Sequence, residues 1–178
     1  MIIVVTGPES CGKTTLAEKL SQATQIPWLP EISREYISNL GRNYEYSDIE
    51  QLIELQLKAE ENLCKLHENF ILDTDLLTLV IWAIDKFQKV PQNAEELLTY
   101  SKNRTYLLCT PDIPWRYDPL RENPNDRDRL FEWYEKELIT LSLPYRIISG
   151  DAEERMSKSL EVIQQRTDLV LRQNKYIF

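Results

Sequence analysis

The chain has 178 residues, 42% of them hydrophobic and 28% charged, a length that suits one ordinary domain and a composition that can bury a core. Twenty-nine acidic against 21 basic residues leave a formal charge of −8, which repels a polyanion and argues against general nucleic-acid binding. No apolar run approaches the ~20 residues a bilayer-spanning helix needs; the best, Leu76 to Ile84, contains Thr78, and no membrane partner is expected.

Met1 leads into Ile2 to Val5, an apolar, β-branched run that predicts a strand buried on both faces. No basic segment precedes it, so no signal peptide is expected. Residues 14–24 place Leu16, Ala17, Leu20 and Ala23 at helical spacing. Pro27 to Pro30 permits a brief extended piece, and a helix can begin within 31–40. Ser47 and Glu50 form a capping-box pattern ahead of a long amphipathic helix, 48–68, with Leu52, Leu55, Leu63 and Leu66 as its apolar seam. Phe70 to Leu72 is a second short strand, ending in Asp73. Helices are expected over 75–89 and 93–102, and a strand over Thr105 to Cys109. Four of nine prolines fall in 110–125 (Pro111, Pro114, Pro119, Pro124), which predicts a structured loop. A helix over 126–141 leads to a strand at Tyr145 to Ser149, and Asp151 with Glu154 caps a last helix running to about Arg172. Short strands alternating with helices throughout predict an α/β protein: a three-layer, doubly wound parallel sheet in a single domain, 1–178.

The strongest chemical signal is Gly7-Pro8-Glu9-Ser10-Cys11-Gly12-Lys13-Thr14, which satisfies G-x-x-x-x-G-K-[ST] between a predicted strand and a predicted helix. Two of only four glycines lie in this stretch. Main-chain N–H groups in such a loop point at a phosphate, and side chains at the glycine positions would obstruct the approach. The following helix adds the positive end of its dipole. Lys13 suits the β- and γ-phosphates, and the Thr14 hydroxyl suits Mg²⁺. A triphosphate such as ATP with Mg²⁺ is the expected ligand.

The loop does not by itself distinguish a GTPase, a motor ATPase and a small-molecule kinase. No N-K-x-D base reader or D-x-x-G switch occurs, and Asp73 has no adjacent glutamate of the motor type. A kinase also needs a carboxylate for the acceptor hydroxyl, cations over the transferring group and a cover against water. Glu31, after the Pro27–Pro30 segment, and Asp75 both suit the first role. Asp73, at a strand's carboxyl end, suits the metal or its waters; a helix cap or an exposed acid is the alternative for each. The stretch 110–129 carries Arg116, Arg121, Arg127 and Arg129 beside Trp115 and Tyr117. It reads as a lid whose arginine forks suit phosphate oxygens. Five acids share that segment, so a salt-bridged surface loop is the alternative.

Taken in order, four groups of residues resemble the ribosylnicotinamide kinase domain of NadR-type bacterial proteins. They are Gly7 to Thr15; Trp28-Leu29-Pro30-Glu31-Ile32-Ser33-Arg34-Glu35-Tyr36; Asp73-Thr74-Asp75 with Thr78 and Trp82; and Pro111 to Trp115 with Leu120-Arg121-Glu122 and Arg127. The resemblance runs from residue 2 to about 155. It implies a P-loop fold of the nucleoside and nucleotide kinase type that moves the γ-phosphoryl of ATP to the 5′-hydroxyl of nicotinamide riboside, giving nicotinamide mononucleotide. On that basis Gly7, Glu9, Ser10, Cys11, Gly12, Lys13, Thr14 and Thr15 hold ATP. Glu31 and Arg34 face the acceptor, Asp73 and Asp75 serve metal or ribose, and Arg121 with Arg127 closes over the phosphates, Arg116 adding a further lid cation. Full-length members also carry a nucleotidylyltransferase domain, which 178 residues do not accommodate, so adenylyl transfer is not expected. A kinase for another nucleoside or a nucleoside monophosphate, and a regulatory module that binds ATP without catalysis, are the rival readings.

Trp82, within an apolar helical stretch, reads as core; Trp28 and Trp115 suit either core or crevice. His67 reads as a helix-end residue. Cys11, Cys64 and Cys109 fit neither a disulfide framework nor a zinc pattern, and a reducing cytoplasm is the expected compartment. Lys175-Tyr176-Ile177-Phe178 suits an edge or an interface.

Overall fold

The β-branched run at the start of the chain becomes the middle of the sheet. β1 (Ile2–Thr6) lies between β3 (Phe70–Asp73) and β4 (Arg104–Cys109). β2 (Trp28–Leu29) flanks β3, β5 (Tyr145–Ile148) flanks β4, and every pairing is parallel. The computed structural model describes residues 1–99, 103–118, 121–122 and 124–174, with the side chains of the last helix as far as residue 168.

Alternation along each strand builds two cores from one sheet. Ile3 and Val5 face α1 (Lys13–Thr24) and α7 (Ala152–Asn174), meeting Leu16, Leu20, Val162 and Ile163. Val4 faces the other way, toward Leu77 and Ile81 of α4 (Leu76–Phe87) and Tyr134 and Leu138 of α6 (Arg127–Thr140). Ile3, Val4, Val5, Ile71 and Leu72 are wholly buried, each contributing about 1.5–3 kcal/mol over an exposed position. α2 (Ile32–Asn39), α3 (Tyr46–Leu66) and α5 (Ala94–Thr99) gather with α4 around Ile49, Leu52 and Leu79. The result is the expected three-layer α/β architecture. No helix among the described residues is long and apolar enough to cross a membrane.

Two expectations about α3 need correction. Its capping box is Glu45 with Asp48, not Ser47 with Glu50, and the helix starts at Tyr46. Asp48 accepts the Glu45 N–H at 2.7 Å and is held by the Arg42 guanidinium and the Tyr36 hydroxyl. Chiefly through Arg42, its carboxyl is held well below the usual range. The buried face of α3 is also not a pure leucine seam. Leu55 and Leu66 are exposed, while Gln56 and Glu60 are buried beside Ile49, Leu52 and Ile53. Glu60 faces Arg104 of β4, so the face is turned by an ion pair as well as by apolar area. At the other end of the chain, Asp151 and Glu154 form the expected cap on α7: Asp151 Oδ1 accepts the N–H groups of Glu153 and Glu154, and Glu154 accepts that of Asp151. The predicted helix 93–102 is observed as Ala94–Thr99; residues 100–102, Pro119, Leu120 and Lys175 to Phe178 lie outside the described residues.

Candidate active site

The strand ends decide where the site lies. β1 finishes beside Asp73 of β3 and Leu108 of β4, and the chain then turns through the glycine loop into α1. Gly7 has φ of +131°, and a Cβ there would come within 2.6 Å of the Cys109 carbonyl oxygen; a side chain at this position would force the loop off the sheet. Gly12, at φ +83°, precedes α1, and no side chain caps that helix. Its first N–H groups are therefore left for an anion, at the positive end of the helix dipole.

Lys13 folds back over the loop, donating to the Gly7 and Pro8 carbonyls at 3.0 and 2.7 Å. Burial disfavours its ammonium, but Cys11, Glu31 and other facing groups outweigh that, and its pKa lies above the ordinary lysine value. Every residue from Gly7 to Thr15 lines one cavity, as the sequence motif requires. Cys11 is buried and its thiol donates to the Pro8 carbonyl oxygen at 2.8 Å.

Asp73 closes β3 at 1% exposure and is not itself among the residues that line the cavity; neither of its carboxylate oxygens makes a hydrogen bond of good geometry, and the side chain that faces them is Thr14. Burial, reinforced by the charge on Glu31, pushes its pKa up to about 6. A buried carboxylate without partners is costly and calls for an explanation. The hard oxygens of Asp73 and the Thr14 hydroxyl suit Mg²⁺, which takes a carboxylate or two and otherwise keeps phosphate and water ligands.

Glu31 precedes α2 and accepts from Ser33 Oγ at 2.6 Å and Arg34 Nε at 3.2 Å. Arg34 also donates to Asp118 at 3.0 Å. Glu31 and Arg34 both line the cavity. Arg121 lines it too. Its guanidinium donates to the Arg116 carbonyl at 2.7 Å and to Ser10 Oγ at 3.3 Å, while its Nε is buried without a partner.

Three assignments need correction. Asp75 does not reach the cavity: it is fully buried on the far side of the Asp73-Thr74-Asp75 turn, where Thr74 adopts φ +70°. Its carboxylate caps α4 through the Leu77 N–H and receives the Arg104 guanidinium at 2.8 Å and the Tyr106 hydroxyl at 2.6 Å. The side chain of Arg116 is exposed, and only its backbone engages the loop, donating its N–H to Ser10 Oγ. Arg127 donates to the carbonyls of Ser10 and Ile113, bracing the two loops together instead of lining the cavity.

Trp82 is not sealed in the core. It lines the cavity, donates its indole N–H to the Tyr44 hydroxyl at 3.0 Å and packs edge-on to that ring. The Tyr44 hydroxyl in turn donates to Glu122, which also receives Lys86. Trp28 packs with Ile3 and its neighbours on the opposite face of the sheet. His67 ends α3, as expected. Sequence reasoning missed Tyr44, Tyr134 and Arg155. The first two line the cavity from a loop and from α6 and carry no motif. Arg155, buried on α7, donates to the Cys11 and Thr110 carbonyls and to Asp112, tying the phosphate loop to the end of β4.

Comparison with known proteins agrees with this geometry. Residues 2–155 match the AAA_28 family, described as an AAA domain. No curated protein matches the sequence. NadR in complex with NR superposes with a TM-score of 0.70 at 18% identity, over 92% of this chain and 50% of that one. Thymidylate kinase from Candida albicans gives 0.67 at 15% identity, over 93% and 92%. Deoxyadenosine kinase from M. mycoides gives 0.63 at 16% identity, over 93% and 100%. This chain spans about half the length of the NadR structures it matches. At these identities the likeness concerns the fold, a P-loop α/β fold of the nucleoside and nucleotide kinase type. With a match that runs from β1 into the first turn of α7, the chain belongs to the AAA_28 family of AAA domains.

Proposed function

We propose that this protein is a nucleoside kinase that transfers the γ-phosphoryl of ATP to the 5′-hydroxyl of nicotinamide riboside, giving nicotinamide mononucleotide. The observation that carries the reading is the lining of one cavity: the phosphate loop contributes to it together with Glu31, Arg34, Tyr44 and Trp82, polar and aromatic groups that no phosphate loop requires. A protein that used ATP occupancy alone has no need of a carboxylate such as Glu31 on that wall.

The charges there favour a nucleoside over a nucleotide acceptor. Arg34 is shared between Glu31 and Asp118, and the wall acids Glu122 and Asp85 are themselves paired with Lys86 and Arg129. Arg34 is thus already neutralised and has no spare charge to offer the phosphate of a nucleotide acceptor, whereas an uncharged ribose beside Trp82 needs none. The solved NadR complex with NR superposes on this chain and lends the substrate its name.

In the proposed reaction the loop N–H groups and Lys13 cradle the triphosphate. Glu31 orients the acceptor hydroxyl and accepts its proton. Arg121 stabilises charge on the transferring group. Asp73 and Thr14 would hold Mg²⁺, which supplies charge neutralisation on the phosphate oxygens.

An acceptor panel with ATP and Mg²⁺ tests the reading. Nicotinamide riboside is expected to be phosphorylated in preference to thymidine, deoxyadenosine and their monophosphates. Phosphorylation of one of the others alone would reassign the acceptor. Tight ATP binding with slow hydrolysis and no phosphorylated acceptor would replace the enzyme by a regulatory module.

A further inference from the structure

Main-chain groups and Lys13 are what a phosphate loop contributes to its anion, and they leave the side chains of Glu9 and Ser10 to be explained. A carboxylate in an anion-binding loop opposes the ligand by its charge. Here both oxygens of Glu9 face donors from one distant segment: Oε1 accepts the Trp115 indole N–H at 3.0 Å, and Oε2 accepts the Glu122 backbone N–H at 2.9 Å. Ser10 Oγ accepts the Arg116 N–H at 3.0 Å and Arg121 at 3.3 Å. The residues on either side of Arg121 are therefore anchored to the loop that receives the phosphates, and the guanidinium between them lines the cavity with its Nε unpartnered.

We infer that Glu9 is a positioning residue: by holding Trp115 and Glu122 together it sets the Arg121 guanidinium over the phosphate end of the cavity. The inference rests on the phosphoryl-transfer reading for its consequence, but not for its geometry. The acceptor pair is the reason a carboxylate is needed. Both partners are N–H donors, so two acceptor oxygens are required. A glutamine of the same shape offers one oxygen and turns an NH₂ toward the other donor. Glu9→Gln thus cuts one arm of the clamp while filling the same volume, and it removes a charge-assisted hydrogen bond. Trp115→Phe cuts the Oε1 arm from the other side.

Two measurements test this. Trypsin cleavage after Arg121 reads the clamp without any reaction, and Glu9→Gln and Trp115→Phe are each expected to accelerate it about tenfold, with the melting temperature little changed. In acceptor phosphorylation, Glu9→Gln is expected to lower kcat about tenfold with little effect on the acceptor KM. Added to Arg121→Ala it should cost nothing further, because it acts through that residue. Unchanged proteolysis in both folded variants would overturn the clamp. A further loss of kcat on top of Arg121→Ala would overturn the positioning role. If the parent phosphorylates no acceptor, the functional proposal fails while the proteolysis comparison still decides the clamp.

Discussion

Asp73 and Asp75 stand two residues apart, and the fold treats them in opposite ways. Asp73 ends β3 beside the phosphate loop with both oxygens unpartnered. Asp75, past the left-handed Thr74, is saturated by the Leu77 N–H, the Arg104 guanidinium and the Tyr106 hydroxyl. Both are buried, so burial does not separate them; what differs is whether the protein supplies direct hydrogen-bond partners, since Lys13 and Arg34 act on Asp73 only through their charge. Where it does, the carboxylate is a structural strut. Where it does not, the fold carries a cost that a bound ligand can offset. The turn between them therefore separates a carboxylate whose hydrogen bonds the protein supplies from one whose hydrogen bonds it does not.

The largest expected effect comes from breaking the complete side. Arg104→Met leaves Asp75 and Glu60 buried together without their cation, and should cost about 3–5 kcal/mol of stability by denaturant unfolding. A variant as stable as the parent would show that Arg104 is dispensable and that Asp75 needs another explanation. Next, Asp73→Asn should lower phosphoryl transfer about 10²- to 10³-fold while leaving the protein folded; near-parental kcat would remove Asp73 from the reaction.

The same substitution sharpens the contrast through pH. The folded pKa of Asp73, about 6, lies above the unfolded value of 3.8. Between those values the folded protein retains a proton that the unfolded chain has lost. The residue's effect on stability therefore becomes less favourable as pH rises through that window, and is most destabilising above it, by on the order of 2–3 kcal/mol. With magnesium and nucleotide removed, Asp73→Asn should exceed the parent in stability at pH 7.5 and converge with it near pH 4. A gap that does not narrow in acid would contradict this account. Trp82→Ala should raise the acceptor KM about tenfold with a smaller change in kcat, since the ring lines the cavity and carries no group that the transfer itself uses. Smallest of all, Arg116→Ala should change transfer less than about threefold, because its side chain is exposed and its contact to Ser10 is made by the backbone.

The features legible in advance were those written in neighbouring residues. The phosphate loop is contiguous, and its two glycines carry the positive φ that the turn needs, Gly7 being held further by the Cys109 carbonyl beside it. Glu31 and Asp73 were singled out by the rule that strand carboxyl ends face the crevice; Glu31 lines the cavity, and Asp73 ends β3 next to the cavity-lining Thr74. Asp75 was misplaced because that rule concerns the strand end and says nothing about a left-handed residue that reverses the next side chain. Trp82 was read as core because hydropathy does not record that Tyr44, from a loop 38 positions earlier, packs against it and brings it to the cavity wall. The buried Glu60 on α3 carries no local signal, because the Arg104 that pairs with it lies 44 positions away on β4.

Local pattern thus determined the alternation of strands and helices, the phosphate loop and the acids at two strand ends, because each depends on backbone geometry and on side-chain periodicity within a few residues. Tertiary structure alone decided which charges neutralise one another, which arginines line the cavity and which brace its walls. Those outcomes depend on distances between residues far apart in the chain, and a buried charge acquires its role only from the partner that packing brings to it, or withholds.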